Sequence, residues 1–337
     1  MIIRQRSELL FLYDVTDCNP NGDPQNDNRP RQDSDGRCLV TDVRLKRTVR
    51  DFLYHYRKRE IFVREVVGDN GLLLTREQLL EEIDWNLETL ITRFDDLRLF
   101  GATITIGKGK KPGAPAGDED RAKGSSIKII GPVQFRLGRS MHRITVAEIP
   151  GTASLPARQE RLRGTMIMTY LVPYALIAFY GTINEHNAAI HRQLGIATPI
   201  GLTEEDVTRL LEGLWLGTKH LMTRSKTTHM PRLLLRVIYR PDDLFFIGAL
   251  DHLLGLVNRT QKPEEDIRSV SEVQVDVTAL AAALEAYRPH LAGVQYGHDP
   301  ALQLVRHGRR VSVPEIVPAG IPVEELPFAS ATPRSSL

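Results

Sequence analysis

Twenty consecutive residues, Cys18 to Arg37, contain no run able to form a regular element, and thirteen of them are Asn, Pro, Gly or Asp. Proline fixes φ and removes an amide donor, while Asn and Asp close turns through their own side chains. A segment of this length and composition inside a compact domain is either functional or unstructured. It is bracketed by two regular elements. Glu8–Asp14 is a short apolar run that reads as a buried strand. Thr41, followed by Asp42, is a reasonable helix cap with an acid in the first turn. The helix then runs to about Arg57. Its apolar residues Leu45, Val49, Phe52, Leu53 and Tyr56 share one face, and Lys46, Arg50 and Arg57 lie on an adjoining stripe with Arg47 just beyond.

The same periodicity arguments predict an acidic helix over Thr75–Phe94 and strands over Leu97–Ile106, Ile127–Phe135, Ile144–Ile149 and Leu233–Tyr239. Helices are expected over Thr203–Leu221, capped by Thr203 with Asp206 three residues on, and over Val277–Tyr287. The uncharged stretch Gly164–Asn184 contains Pro173 and alternates at period 2. Two strands joined near Pro173, or one long buried strand, fit it better than a membrane helix. This order suits an α+β sheet of the ferredoxin-like, RNA-recognition type with long insertions. The expected organisation is one elaborated domain over 1–313, with insertions near 15–40, 60–96, 107–126 and 150–165. A flexible tail is expected over 314–337, where Pro, Ala and Ser are frequent.

Two cysteines, Cys18 and Cys38, exclude a disulfide framework and offer no zinc pair. Met1–Glu8 has no apolar run ending in a cleavage site, so no secretory signal is expected and the chain reads as cytoplasmic. Gly101–Lys108 has the wrong spacing for a phosphate-binding P-loop, and the loop from Asp23 lacks the Gly and Glu of a calcium site. The histidines lack metal spacing, and no nucleophile motif occurs. No metal, cofactor or catalytic residue is therefore expected. Asp23 and Asp33 leave one alternative open, a metal-dependent RNA-cleaving role. The competing reading of these acids is turn chemistry.

Lys and Arg number 44 against 42 Asp and Glu, a net charge of +2. The balance hides blocks: +6 over Arg37–Arg59, −6 over Glu60–Phe100 and +6 over Gly101–Arg143. Such blocks suit a phosphate-binding surface, docking of one copy on another, or solvated faces that average out. The loop and helix carry Arg29, Arg31, Arg44, Lys46, Arg47 and Arg50, and a second group is Arg224, Lys226, His229 and Arg232. Guanidinium groups bind phosphate oxygens through paired hydrogen bonds. Such contacts position a nucleic-acid backbone without reading its sequence.

These residues also carry a resemblance. Leu12-Tyr13-Asp14-Val15, Asn19-Pro20-Asn21-Gly22-Asp23-Pro24, Asn28-Arg29-Pro30-Arg31 and Leu39-Val40-Thr41-Asp42-Val43-Arg44-Leu45-Lys46-Arg47 are similar to the backbone (major) subunit of type I Cascade surveillance complexes. The similarity is to the I-B/I-C branch of these complexes, whose backbone subunit belongs to the RAMP superfamily. Phe100-Gly101-Ala102, Gly131–Phe135, Ser140 with His142-Arg143, and Pro231-Arg232 support it. The resemblance implies a non-catalytic subunit with an RNA-recognition-like palm, finger and thumb. It implies polymerisation along CRISPR RNA, with target DNA paired to the exposed guide bases. The implied partners are other copies head to tail, a guide-processing endonuclease, a 5′-handle cap subunit, a large subunit and, indirectly, a recruited helicase-nuclease. Asn19, Asn21, Gly22, His142 and Arg143 join the basic residues above as expected RNA contacts. Lys108, Lys110, Lys111, Arg158, Arg161 and Arg163 are expected at the thumb, a neighbouring copy or target DNA.

Overall fold

The computed structural model describes residues 1–68, 71–106, 125–152 and 166–329. The chain enters as β1 (Ser7–Cys18). The Asn/Pro/Gly-rich segment is a folded loop holding two short paired strands, β2 (Gly22–Asp23) and β3 (Arg29–Pro30), and it leads into β4 (Arg37–Val40). Helix α1 (Asp42–Arg57) starts at Thr41, whose side chain accepts from the Arg44 amide. A helical unit follows, α2 (Arg76–Glu81), α3 (Leu87–Arg93) and α4 (Asp95–Phe100), then the hairpin β5 (Gly101–Ile106) and β6 (Ser125–Ile130). Strands β7 (Val133–Phe135), β8 (Gly138–Arg143) and β9 (Ala147–Thr152) precede the long β10 (Met166–Ile183). Short helices α5 (Glu185–Ala188) and α6 (Ile190–Leu194) lead to α7 (Glu204–Lys219), and β11 (His229–Tyr239) returns to the sheet. The last part holds β12 (Gly255–Asn258), β13 (Val273–Asp276), α8 (Thr278–Ala286), β14 (Leu291–His298), β15 (Gln303–Arg306), β16 (Arg309–Val311), α9 (Val313–Ile316) and β17 (Val323–Glu325).

The main sheet has the order β17-β14-β11-β1-β10-β8-β4. β1 lies at its centre, antiparallel to β10 and β11. Side chains alternate across a strand. Leu9, Phe11, Tyr13 and Val15 therefore share one core with α1 and α7 residues such as Val49, Phe52, Leu210 and Leu214. Leu10 and Leu12 enter a second core with Val273, Val275, Leu280 and Leu304. The second core lies beneath α8 and a small sheet of order β12-β13-β15-β16. Burial on both faces explains why β1 reads as a continuous apolar run and not as an alternation. It also closes the sheet face that an RNA-recognition sheet would leave open.

Several expectations need correction. The helix expected over Thr75–Phe94 is two helices, broken where Asp84 and Trp85 adopt left-handed φ of 51° and 57°. The strand expected from Leu97 begins only at Gly101, because Asp95–Phe100 is helical. Gly101 has φ +66°, and a Cβ there would sit 2.1 Å from the Ile129 carbonyl oxygen. Ile144–Val146 link two strands and do not start one. Of the two readings offered for Gly164–Asn184, the single long strand is found: β10 continues through Pro173. Thr16 pairs Tyr174 and Cys18 pairs Val172, while Asp17, at φ 48°, lies outside the paired register where the proline offers no donor. The tail is not free from 314 onward: β17 pairs in parallel with β14, and Ile316, Leu326 and Ala329 are buried. Among the described residues no helix is long and apolar enough to cross a membrane.

Candidate nucleic-acid interface

The Asn/Pro/Gly-rich loop is built by its own polar side chains. Asn19 is buried, and its Nδ2 donates to the Asn28 carbonyl at 2.6 Å. Its amide donates to the Ser225 carbonyl at 2.9 Å, which ties the loop to the turn Thr223–Lys226. Asn21 Oδ1 accepts from the amide and hydroxyl of Thr41, so the loop also holds the start of α1. Gly22 is required by space, since a Cβ would lie 2.8 Å from the Asn28 backbone carbonyl oxygen and closer still to the Asn28 side chain. Asn19, Asn21 and Gly22 are thus the frame of the loop. Asp23 receives the Gln25 amide and pairs with Arg31, and Asp33 receives the amides of Asp35 and Arg37 and pairs with Arg139. Both acids do turn chemistry, and among the described residues no group of three His, Cys, Asp or Glu is placed to hold a metal.

The loop and α1 line a narrow notch with Tyr13, Pro20, Val40, Arg44, Thr48, Thr218 and His229, and the Thr223–Lys226 turn lies just before His229 in the chain. Arg44 donates to the Thr48 hydroxyl at 3.0 Å, and Lys226 donates to the Ser225 hydroxyl at 3.3 Å. Among the described residues neither cation has a carboxylate within ion-pair distance. Burial and then the Arg44 charge push the Lys226 ammonium below its ordinary value. Burial pushes Arg44 down as well. His229 stacks on Tyr13 with ring centroids 5.5 Å apart. Burial, Lys226 and Arg44 together push its imidazole down to about 3, so it stays neutral. Arg44 and Lys226 both act on the His229 imidazole, and like charges near one another in a partly dry region are costly unless an anion joins them. Arg224, on the same turn, is exposed.

The other expected contacts divide. Arg47 is exposed and pairs with Asp51 one turn on, while Lys46 pairs with Asp42 and reaches Gln134. Such i,i+4 pairs are weak and exchange readily with a stronger anion. Arg31 is half-exposed beside Asp23. Arg29 lies over the Tyr170 ring at 4.1 Å and pairs with Glu148 at 2.7 Å, which fastens the loop to the β9–β10 hairpin. Arg143 is exposed and pairs with Glu265. Three expected contacts are structural instead. Arg50 is buried against Asp96 at 2.8 Å, because the acidic segment folds back over α1. Arg232 sits between Asp14 and Asp299. His142 is buried, stacked on Tyr174, with Nδ1 at 2.8 Å from the Arg143 carbonyl. Lys108, Lys110, Lys111, Arg158, Arg161 and Arg163 lie outside the described residues. Tyr13 and Thr48 complete the notch. The sequence signal for Tyr13 is its place in the Leu12–Val15 motif, and that for Thr48 is its position a turn beyond Arg44.

Fold and site together define an α+β protein with a notch at the junction of a polar loop and a helix, lined by Arg44. Residues 5–278 match the family described as CRISPR-associated protein Cas7. A Haloferax volcanii protein of that name is 32% identical over 328 residues, covering 90% of each chain. The chain belongs to the Cas7 family. It shares the fold of a chain in a solved CRISPR RNA-guided surveillance complex, pre-nicking, with a TM-score of 0.50 and 13% identity over 89% of this chain and 96% of that one.

Proposed function

We propose that this chain is a non-catalytic backbone subunit of a type I Cascade surveillance complex, of the I-B/I-C branch, acting in the cytoplasm. Copies polymerise along CRISPR RNA and present guide bases to target DNA, beside the guide-processing endonuclease, the 5′-handle cap subunit and the large subunit. Base pairing then supplies sequence specificity, and the protein grips phosphates. The observation that carries this reading is the grouping of Arg44, which lines the notch, with Lys226, on the adjoining turn that the Asn19 amide ties to the loop, neither having a carboxylate within ion-pair distance among the described residues. A guide phosphate there supplies the missing charge, and Arg224 and Arg47 extend the contact along the strand. The order strand, helix, strand, strand, helix, strand, with α1 and α7 on one face and sheet order β11-β1-β10-β8, supports an RNA-recognition-like palm. Because the opposite face is covered, the RNA runs along the loop edge of this palm.

Expression with a CRISPR array tests the reading. The protein should copurify with RNA of uniform, repeat-derived length. Absence of any RNA of defined length contradicts it.

A further inference from the structure

Two exposed surfaces have charges that the chain itself does not balance. The first is on the helical unit. Phe62, Leu80, Leu90 and Phe94 form its core, and Glu60, Asp95 and Asp96 are taken up by Arg93, Arg59 and Arg50. Glu82, Asp84 and Glu88 remain exposed, with no ion pair among the described residues. Earlier in the same segment, Val67 and Leu73 pair with each other and are 64% and 59% exposed. The second surface is the β15–β16 hairpin. Arg306 and Arg309 stand directly opposite each other, and Arg309 and Arg310 are exposed. Like charges directly opposite destabilise a strand pair. Among the described residues no carboxylate lies within ion-pair distance of these three arginines. His307 and Gly308, at φ +50° and +74°, form the two-residue turn that makes such a hairpin stiff. The hairpin also lies beyond residue 278, where the family match ends.

The two surfaces are on opposite sides of the main sheet. Leu99 and Phe100 of α4 join the core beneath α1 and α7, whereas Leu304 of β15 joins the core on the other face. Unlike patches on opposite sides of one chain suit heterologous, head-to-tail association, which can repeat without closing. We propose that the Arg306–Arg310 hairpin of one copy docks on the Glu82–Glu88 face of the next copy. The acids of one copy neutralise the opposed arginines of the other. The inference rests on the reading of the chain as a subunit that repeats along RNA, and it assigns the faces through which copies meet.

Charge reversal tests it with the full chain. One variant carries Arg306→Glu, Arg309→Glu and Arg310→Glu; the other carries Glu82→Arg, Asp84→Arg and Glu88→Arg. Binding is measured on a single-stranded RNA that holds one copy and on one that holds several, with circular dichroism to confirm folding. Each variant should bind the short RNA as the parent does and lose at least about tenfold in cooperative loading of the long RNA. The chain carrying all six changes, or an equal mixture of the two variants, should regain cooperativity. Unchanged cooperativity in the single variants, or no recovery on combination, overturns the proposal. Loss of short-RNA binding by the hairpin variant also overturns it and makes the hairpin a nucleic-acid contact. If the parent binds neither RNA, the RNA-scaffold reading fails; sedimentation without RNA then tests the docking by itself, with self-association of the parent that either variant abolishes supporting it and a monomeric parent overturning it.

Discussion

Asn21 Oδ1 accepts hydrogen bonds from both the amide and the hydroxyl of Thr41, at 2.8 and 2.9 Å. Thr41 in turn accepts from the Arg44 amide at 3.2 Å. One side chain of the loop thus fixes where α1 begins and, through it, where Arg44 points. Asn21→Ala removes an acceptor shared by two donors, so it should cost about 1–2 kcal/mol in urea unfolding. It should also weaken RNA binding, because Arg44 loses its placement. Asn21→Asp keeps the acceptor and should retain most of both.

Arginines four residues or less apart on α1 should behave differently. Asp96 is fully buried, and it holds Arg50 as well as the amides of Phe62 and Val63. Arg50→Ala strands that charge and should cost about 3–5 kcal/mol. Arg47 forms an exposed pair with Asp51, and Arg47→Ala should cost less than about 1 kcal/mol. Denaturant melts of the two variants distinguish a structural arginine from a surface one.

Stability should fall in mild acid. His229, His142 and His298 are all pushed below the ordinary value of 6.5, first by burial. Their neutral form is the folded form. The unfolded chain takes up protons as pH drops below about 6.5, while folded His229 does not until about 3. The contribution is complete above pH 6.5 and is lost progressively on the way down to 3. Urea midpoints measured from pH 7.5 to 4.5 should decline, and His229→Asn should flatten the decline. A parent curve that matches the variant's contradicts the assignment.

The local features were legible in the sequence. Thr41 caps α1, Thr203 and Asp206 form a capping box, and the ends of α1 fall where periodicity places them. These signals are carried by neighbours in the chain. The fate of the charges was not legible in the same way. Arg50 meets Asp96 across 46 residues and Arg98 meets Asp206 across 108, so a block sum cannot distinguish a free arginine from a committed one. The notch was only half visible. Arg44 and Lys226 were both candidates, but their segments meet through long-range contacts, such as the Asn19 amide on the Ser225 carbonyl and the pairing of β1 with β11. The covered sheet face was hidden too, because an apolar run such as Leu9–Leu12 is equally consistent with several kinds of burial.

The central claim is that Arg44 and Lys226 share a guide phosphate or adjacent phosphates. The most direct measurement is the salt dependence of single-stranded RNA binding by the parent and by Arg44→Gln with Lys226→Gln. Each phosphate contact contributes about 0.7 to the slope of log K against log salt on single strands. The double variant should bind every RNA sequence more weakly, with a slope shallower by about 1.4 for two lost contacts. An unchanged slope and affinity in a folded variant would show that the RNA backbone does not pass through the notch.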